Sequence, residues 1–188
     1  MFKILKLQDT IRIPPNKFSK PLEDAAQEIL RELYEGQIID DIGLIINVMD
    51  IEVSEIGRIV PGDGALYHDV TFKALVFSPL LHEVVEGEVT TVESFGVLVK
   101  IGPLEGFIHI SQIRDEAFTY DKGQMALIGR KSKYILKKGD IVRARIVSIS
   151  FSRGRGRTIR IGMTMRQPFL GKIEWIKKDL EKIYGKSE

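Results

Sequence analysis

Leu22, Ala25, Ala26, Ile29, Leu30 and Leu33 recur at spacings of three and four, with Glu23, Asp24, Glu28 and Glu32 between them. That rhythm predicts an amphipathic helix with one apolar face. Ser19 is placed to cap its start, Pro21 fits the first turn, and Gly36 is placed to end it. Ahead of the helix, Met1–Leu7 and Thr10–Ile13 read as short strands. Pro14-Pro15 stops them, because proline offers no N–H to a ladder. Behind it, Ile38–Met49 is apolar and β-branched, a strand interrupted at Asp40-Asp41 and Gly43. A turn near Asn47–Asp50 then leads into an alternating segment, Ile51–Ile56. Val70, Phe72, Ala74 and Val76 alternate with other residues and so fall on one strand face. The layout is α+β, one helix packed on a mostly antiparallel sheet. It occupies residues 1–79, and a chain of that length makes a small core that gains from a partner.

The pattern changes at Pro79. Val84–Val92, Phe95–Ile101, Glu105–Ser111, Ile141–Ile149 and Thr158–Thr164 read as five short strands with turn signals between them, the signature of a closed or partly open OB-type barrel. Gly87 marks a bend or bulge in the first strand. Val142, Ala144, Ile146 and Ser148 take one face of the fourth, and Arg143, Arg145 and Val147 the other. Residues 112–133 show little periodicity. After Pro168 and Gly171, Ile173, Ile176, Leu180 and Ile183 form the stripe of an amphipathic helix, which either packs on its own barrel or docks a partner.

Composition narrows the chemistry. The 188 residues contain no cysteine, which excludes disulfides, a thiol nucleophile and thiolate zinc sites. His68, His82 and His109 have no helical metal-site spacing. Gly102-x-x-x-Gly106 lacks the Lys-Ser/Thr of a phosphate loop, and no nucleophile–base order or carboxylate pair stands out. No catalytic residue, metal or cofactor is therefore expected. No apolar run reaches the ~18 residues of a membrane span and no signal-peptide pattern follows Met1, so a cytoplasmic protein is expected, with no membrane partner. The formal net charge is only +2, but residues 130–160 hold 11 basic side chains against Asp140 alone, while 1–78 and 79–129 are each net −5. Such a local excess attracts phosphates, although a basic cluster can also be a merely solvated face.

The loop Gly57-Arg58-Ile59-Val60-Pro61-Gly62-Asp63-Gly64 is apolar where a solvent-facing turn is ordinarily polar. Two arrangements fit it. Ile59 and Val60 fold back onto their own sheet, or they project as a tip that inserts into a partner.

The run FGVLVKIGPLEGFIHISQI, followed downstream by KKGDIVRARIVSIS, resembles the S1-type RNA-binding OB fold. The resemblance implies an RNA face at Phe95, Leu98 and His109, with Lys100 on the same strand. Aromatic rings stack on bases, and arginines pair with phosphates. Arg143, Arg145, Arg153, Arg155 and Arg157 are the candidates for the second task. Leu98 stands where the family usually has phenylalanine, and Ser150 where it often has aspartate. The whole chain, through its joining segment FKALVFSPLLHEVVEGEV, resembles the RNA polymerase stalk subunits, the family of the archaeal E-prime subunit and the seventh subunit of eukaryotic polymerase II. That implies a truncated ribonucleoprotein-like domain over 1–79, followed by an S1-type OB domain with a C-terminal helix over 80–188. It further implies docking on the polymerase core through Gly57–Gly64, obligate pairing with the smaller stalk component, the F subunit of RNA polymerase, and binding of emerging single-stranded RNA. The chain would be a non-catalytic part of a nucleotidyltransferase, of archaeal origin. A free-standing S1-type adaptor in translation or RNA decay would share the barrel without needing the first domain or its apolar loop.

Overall fold

In the computed structural model, which describes residues 1–152 and 158–185, Phe2–Ile13 form one continuous strand, β1, in place of the two short ones expected. Gln8 and Asp9 do not break it, because β5 (Leu66–Phe77) pairs with it along its full length, from Phe2↔Phe77 to Ile13↔Leu66. The helix α1 spans Leu22–Tyr34. Its N-cap is Pro21 rather than Ser19, with no side-chain cap, and Glu23 and Asp24 place negative charge on the first turn instead. Gly36 follows the helix with φ +76°, and its N–H bonds the Ile45 carbonyl at 2.9 Å, turning the chain into the sheet.

That sheet is completed by β2 (Ile38–Ile39), β3 (Gly43–Val53) and β4 (Arg58–Ile59). The order is β1-β5-β3-β2, with β4 added to β5, and every pairing is antiparallel. The turn expected near Asn47–Asp50 is absent. β3 runs through it, and register shifts at Ile45/Asn47 and Met49/Glu52 absorb the extra residues, with Asp50 at φ +50°. Val70, Phe72, Ala74 and Val76 do share the core face, where they meet Ala26, Ile29 and Leu30 of α1. Full burial of a side chain such as Leu30 contributes about 1.5–3 kcal/mol. Leu33, on the last turn, is half exposed instead.

Met1–Ser78 is one unit and Pro79–Glu188 the other. In the second, β6 (Val84–Glu93), β7 (Gly96–Ile101), β8 (Leu104–His109), β12 (Ile141–Ser152) and β13 (Thr158–Thr164) close a barrel. The circuit is β6-β7-β8-β13-β12 and back to β6, with β8 and β13 parallel. β12 serves two neighbours. Its first half pairs with β6, a register shift between Ile146 and Ser148 follows, and its second half pairs with β13. Val142, Ala144 and Ile146 accordingly face inward, but Ser148, past the shift, is exposed. Gly87 is not the bulge, which falls between Val89 and Thr91. It is a site of close approach, where a Cβ would lie 2.3 Å from the Lys100 carbonyl oxygen.

The aperiodic stretch holds a 3-10 turn (Ile110–Gln112), β9 (Phe118–Asp121) and β10 (Ala126–Gly129). With β11 (Ile135–Lys137) these strands make a small antiparallel sheet, ordered β11-β10-β9. After β14 (Gly171–Lys172), α2 (Ile173–Tyr184) packs on its own unit. Trp175 and Ile176 are buried, and Trp175 stacks on Tyr134 at 5.0 Å and on Phe118 at 6.3 Å. Ile183 remains exposed.

Candidate nucleic-acid interface

Alternation sorts β7 and β8 into two faces. Val97, Val99, Ile101 and Ile108 point into the barrel, and Leu98, Lys100, Glu105, Phe107 and His109 point out. Phe95 precedes β7 in a tight turn whose flanking residues, Glu93 and Gly96, pair directly. Its carbonyl accepts the Ile110 N–H at 2.9 Å, which ties the turn to the end of β8. Three rings then line up on the outer face. Phe95 and Phe107 lie 5.8 Å apart at 44°, and Phe107 and His109 lie 6.4 Å apart at 71°. Gly96 allows this approach, since a Cβ there would sit 2.3 Å from the Ile108 carbonyl oxygen and 2.8 Å from the Phe107 ring. Phe95 keeps 55% of its surface exposed, so its face is available to a base.

Leu98 lies opposite Phe107 and widens this apolar strip. The Ser111 backbone N–H donates to Nδ1 of His109 at 3.2 Å, with the Ser111 hydroxyl at 2.8 Å from the same nitrogen. Nδ1 is therefore the acceptor, and in the neutral ring the proton sits on Nε2. Lys100 is exposed and makes no ion pair among the described residues. Arg160 of β13 is similar, two positions before Gly162, which pairs with Phe107.

Arg143 and Arg145 do not join this strip. Arg143 lies on the β6–β12 seam, where Glu86 accepts from its Nε at 2.9 Å and from its terminal nitrogen at 2.8 Å. Arg145 is half-buried on the same seam, with a buried Nε that has no hydrogen-bond partner. Arg153, Arg155 and Arg157 lie outside the described residues. Sequence reasoning missed Phe107 and Arg160. Phe107 was legible as the residue two before His109 on an alternating strand. Arg160 required the parallel pairing of β13 with β8, which no local pattern shows.

The Gly57–Gly64 loop is a clamped hairpin. β4 pairs with Leu66 and Tyr67 of β5, and Gly62 turns it at φ +88°. Arg12 grips both oxygens of Asp63 at 2.7 Å, and the Tyr67 hydroxyl donates to Asp63 at 2.8 Å. These bonds hold the Asp63 carboxyl well below the ordinary carboxylate range. Arg58 reaches Asp69 at 2.6 and 2.8 Å. His68 donates from Nδ1 to the Ser54 carbonyl at 2.8 Å, and its ring leaves no room for a Cβ on Gly57. Of the two arrangements open to the apolar residues, the projecting one is observed. Ile59 is 74% exposed, Val60 44%, and neighbouring Ile56 82%. Pro61 is exposed beside them, and Gly64 lies near Pro15.

Among the described residues no cluster of His, Asp or Glu could hold a metal ion, and no helix is long and apolar enough to cross a membrane.

Residues 8–64 match the family model described as the SHS2 domain found in the N terminus of Rpb7p/Rpc25p/MJ0397, and residues 79–157 match the S1 RNA binding domain. The chain is 47% identical over 176 residues to DNA-directed RNA polymerase subunit Rpo7 of Saccharolobus shibatae, covering 94% of this chain and 97% of the relative. It is 47% identical over 182 residues to subunit Rpo7 of Sulfolobus acidocaldarius, covering 97% and 98%. With DNA-directed RNA polymerase II subunit rpb7 of Schizosaccharomyces pombe it shares 30% over 172 residues, covering 90% and 98%.

Proposed function

The chain belongs to the family of DNA-directed RNA polymerase subunits that includes archaeal Rpo7 and eukaryotic Rpb7, and we propose that within the polymerase it is a non-catalytic stalk subunit that holds single-stranded nascent RNA on its barrel. The observation that carries the RNA reading is the outward row Phe95–Phe107–His109, edged by Leu98, Lys100 and Arg160. Rings on an open sheet face stack on any base, so sequence preference is weak. The cations supply affinity through counterion release, so salt dependence is strong. Arg153, Arg155 and Arg157 raise the positive charge of the 130–160 segment.

The clamped tip Gly57–Gly64 docks on the polymerase core, supported by the exposure of Ile59 and Val60 on a rigid hairpin. The first unit pairs with the F subunit of the polymerase, which covers apolar side chains such as Phe2 and Ile4 that the sheet leaves exposed. The chain works in the cytoplasm with no cofactor of its own. A free-standing S1-type adaptor has no use for the first unit or its tip, and the full-length likeness to polymerase subunits favours the assembled role.

Titration of labelled RNA into the full chain at several salt concentrations tests the barrel reading. Phe95→Ala is expected to weaken binding by about 1–3 kcal/mol while leaving the salt slope unchanged, because it removes stacking and no charge. Unchanged affinity would refute the row as the RNA site.

A further inference from the structure

We propose that the turn between β10 and β11, together with the end of β9, is a second phosphate-binding surface, onto which the RNA strand stacked on the Phe95–His109 row continues. This rests on the RNA reading of the row. Lys122, Arg130, Lys131 and Lys133 are exposed there and make no ion pair among the described residues. In the first unit Arg12, Lys17, Lys20, Arg31, Arg58 and Lys73 sit on carboxylates, while Lys3 and Lys6, like Lys100 and Arg160 beside the aromatic row, have no ion pair among the described residues.

Carboxylates are present at the turn, but they are spent on the backbone. Glu116 accepts the N–H of Lys131 at 2.9 Å and of Ser132 at 3.0 Å, and also the Ser132 hydroxyl. Asp121 accepts the N–H of Gly123 at 2.8 Å and of Gln124 at 3.3 Å. The acids thus shape the loops and leave the cations to an external anion. The same bonds preorganise the turn. Arg130 N–H bonds the Ala117 carbonyl at 2.9 Å, and Gly129 has no space for a Cβ beside Ser132 and Glu116. Tyr134, at its base, stacks on Trp175 at 5.0 Å and carries the Arg114 guanidinium over its ring at 4.9 Å. A rigid cationic turn loses little entropy when it takes a phosphate.

Position identifies the occupant. A groove of about 380 Å³ runs from Ser111, which holds His109, to Phe118 at the head of β9. A second groove of about 430 Å³ lies along β9 itself, lined by Thr119, Tyr120, Lys122, Arg130 and Lys133. A strand leaving the aromatic row at the end of β8 enters the first groove, past Arg114, Asp115 and Arg166, and on this proposal continues into the second, whose cations fit a polyanion.

The test uses the full chain and two oligouridylates. One is of about 4 nucleotides, enough for the row, and one of about 12, within the span of a single OB-type site. In the triple variant Arg130→Ala, Lys131→Ala, Lys133→Ala the longer RNA should bind more weakly. Its plot of log K against log salt should flatten by about 2, roughly 0.7 for each lost single-strand phosphate contact. The shorter RNA should bind as to wild type. An unchanged response to the longer RNA would overturn the proposal and leave a solvated face. Equal loss for both lengths would overturn it too, since the turn would then only support the barrel. The row is checked separately by loss of the shorter RNA in Phe95→Ala, and wild type binding neither length would refute both readings.

Discussion

Replacing Ile59 and Val60 by aspartate should release the chain from the polymerase core while leaving it folded. In the free chain these side chains are 74% and 44% exposed, and surface changes of that kind stay within about ±0.5 kcal/mol. Docking is another matter. Full burial of such a side chain contributes about 1.5–3 kcal/mol, and most of Ile59 and nearly half of Val60 is still to be covered, so about 2–3 kcal/mol is forfeited. Two carboxylates would be buried in their place, at an effective cost of several kcal/mol each. The sum exceeds about 5 kcal/mol, or more than a thousandfold in affinity. The clamp of Arg12 and Tyr67 on Asp63 preorganises the hairpin, so little of this can be recovered by rearrangement. The assay is reconstitution with core polymerase lacking its stalk, followed by size-exclusion chromatography. Melting temperature and RNA titration serve as controls of folding. Undiminished assembly of a folded double variant would show that the tip is not the docking element.

Trp175→Ala should destabilise the second unit by about 3–5 kcal/mol, because it opens a cavity between α2 and the small sheet, and hydrogen exchange at β9–β11 should rise first; a loss below ~1 kcal/mol would be incompatible with that packing. Asp63→Asn should lower the urea midpoint at neutral pH. The carboxyl's folded value is depressed, so its contribution is complete above the ordinary carboxylate range and is lost as pH falls through the lower folded value. The gap between wild type and variant should therefore close in acid, and a gap that widens in acid would reverse the assignment. Coexpression with the polymerase F subunit should raise solubility and melting temperature, since a partner that binds only the folded chain stabilises it; equal behaviour alone and together would count against pairing.

The long periodic segments were legible from spacing alone. The α1 stripe and the Val70–Val76 face reach the core because their spacing is set by backbone geometry. The five barrel strands were legible for the same reason. The small sheet was not, because strands of three or four residues are too short to display a period. The β3 turn was misread because a bulge and a turn share the same polar, flexible residues, and only pairing with β5 separates them. Arg143 looked free because Glu86 is distant in sequence and adjacent only across the β6–β12 ladder. The loop's two arrangements could be separated only by bonds to partners outside it, Arg12 and Tyr67 on Asp63 and Asp69 on Arg58, which come from β1 and β5.

If nascent RNA lies on the outer face of β7 and β8 while the chain is docked on polymerase, photocrosslinking will find it there. An assembled elongation complex carrying 4-thiouridine in the emerging transcript is irradiated, digested and mapped by mass spectrometry. Crosslinks are expected within residues 95–109, reduced several-fold by Phe95→Ala with His109→Ala in complexes that still contain the subunit. Crosslinks confined to other parts of the chain, or unaffected by that variant, would place the transcript elsewhere and overturn the RNA reading of the barrel.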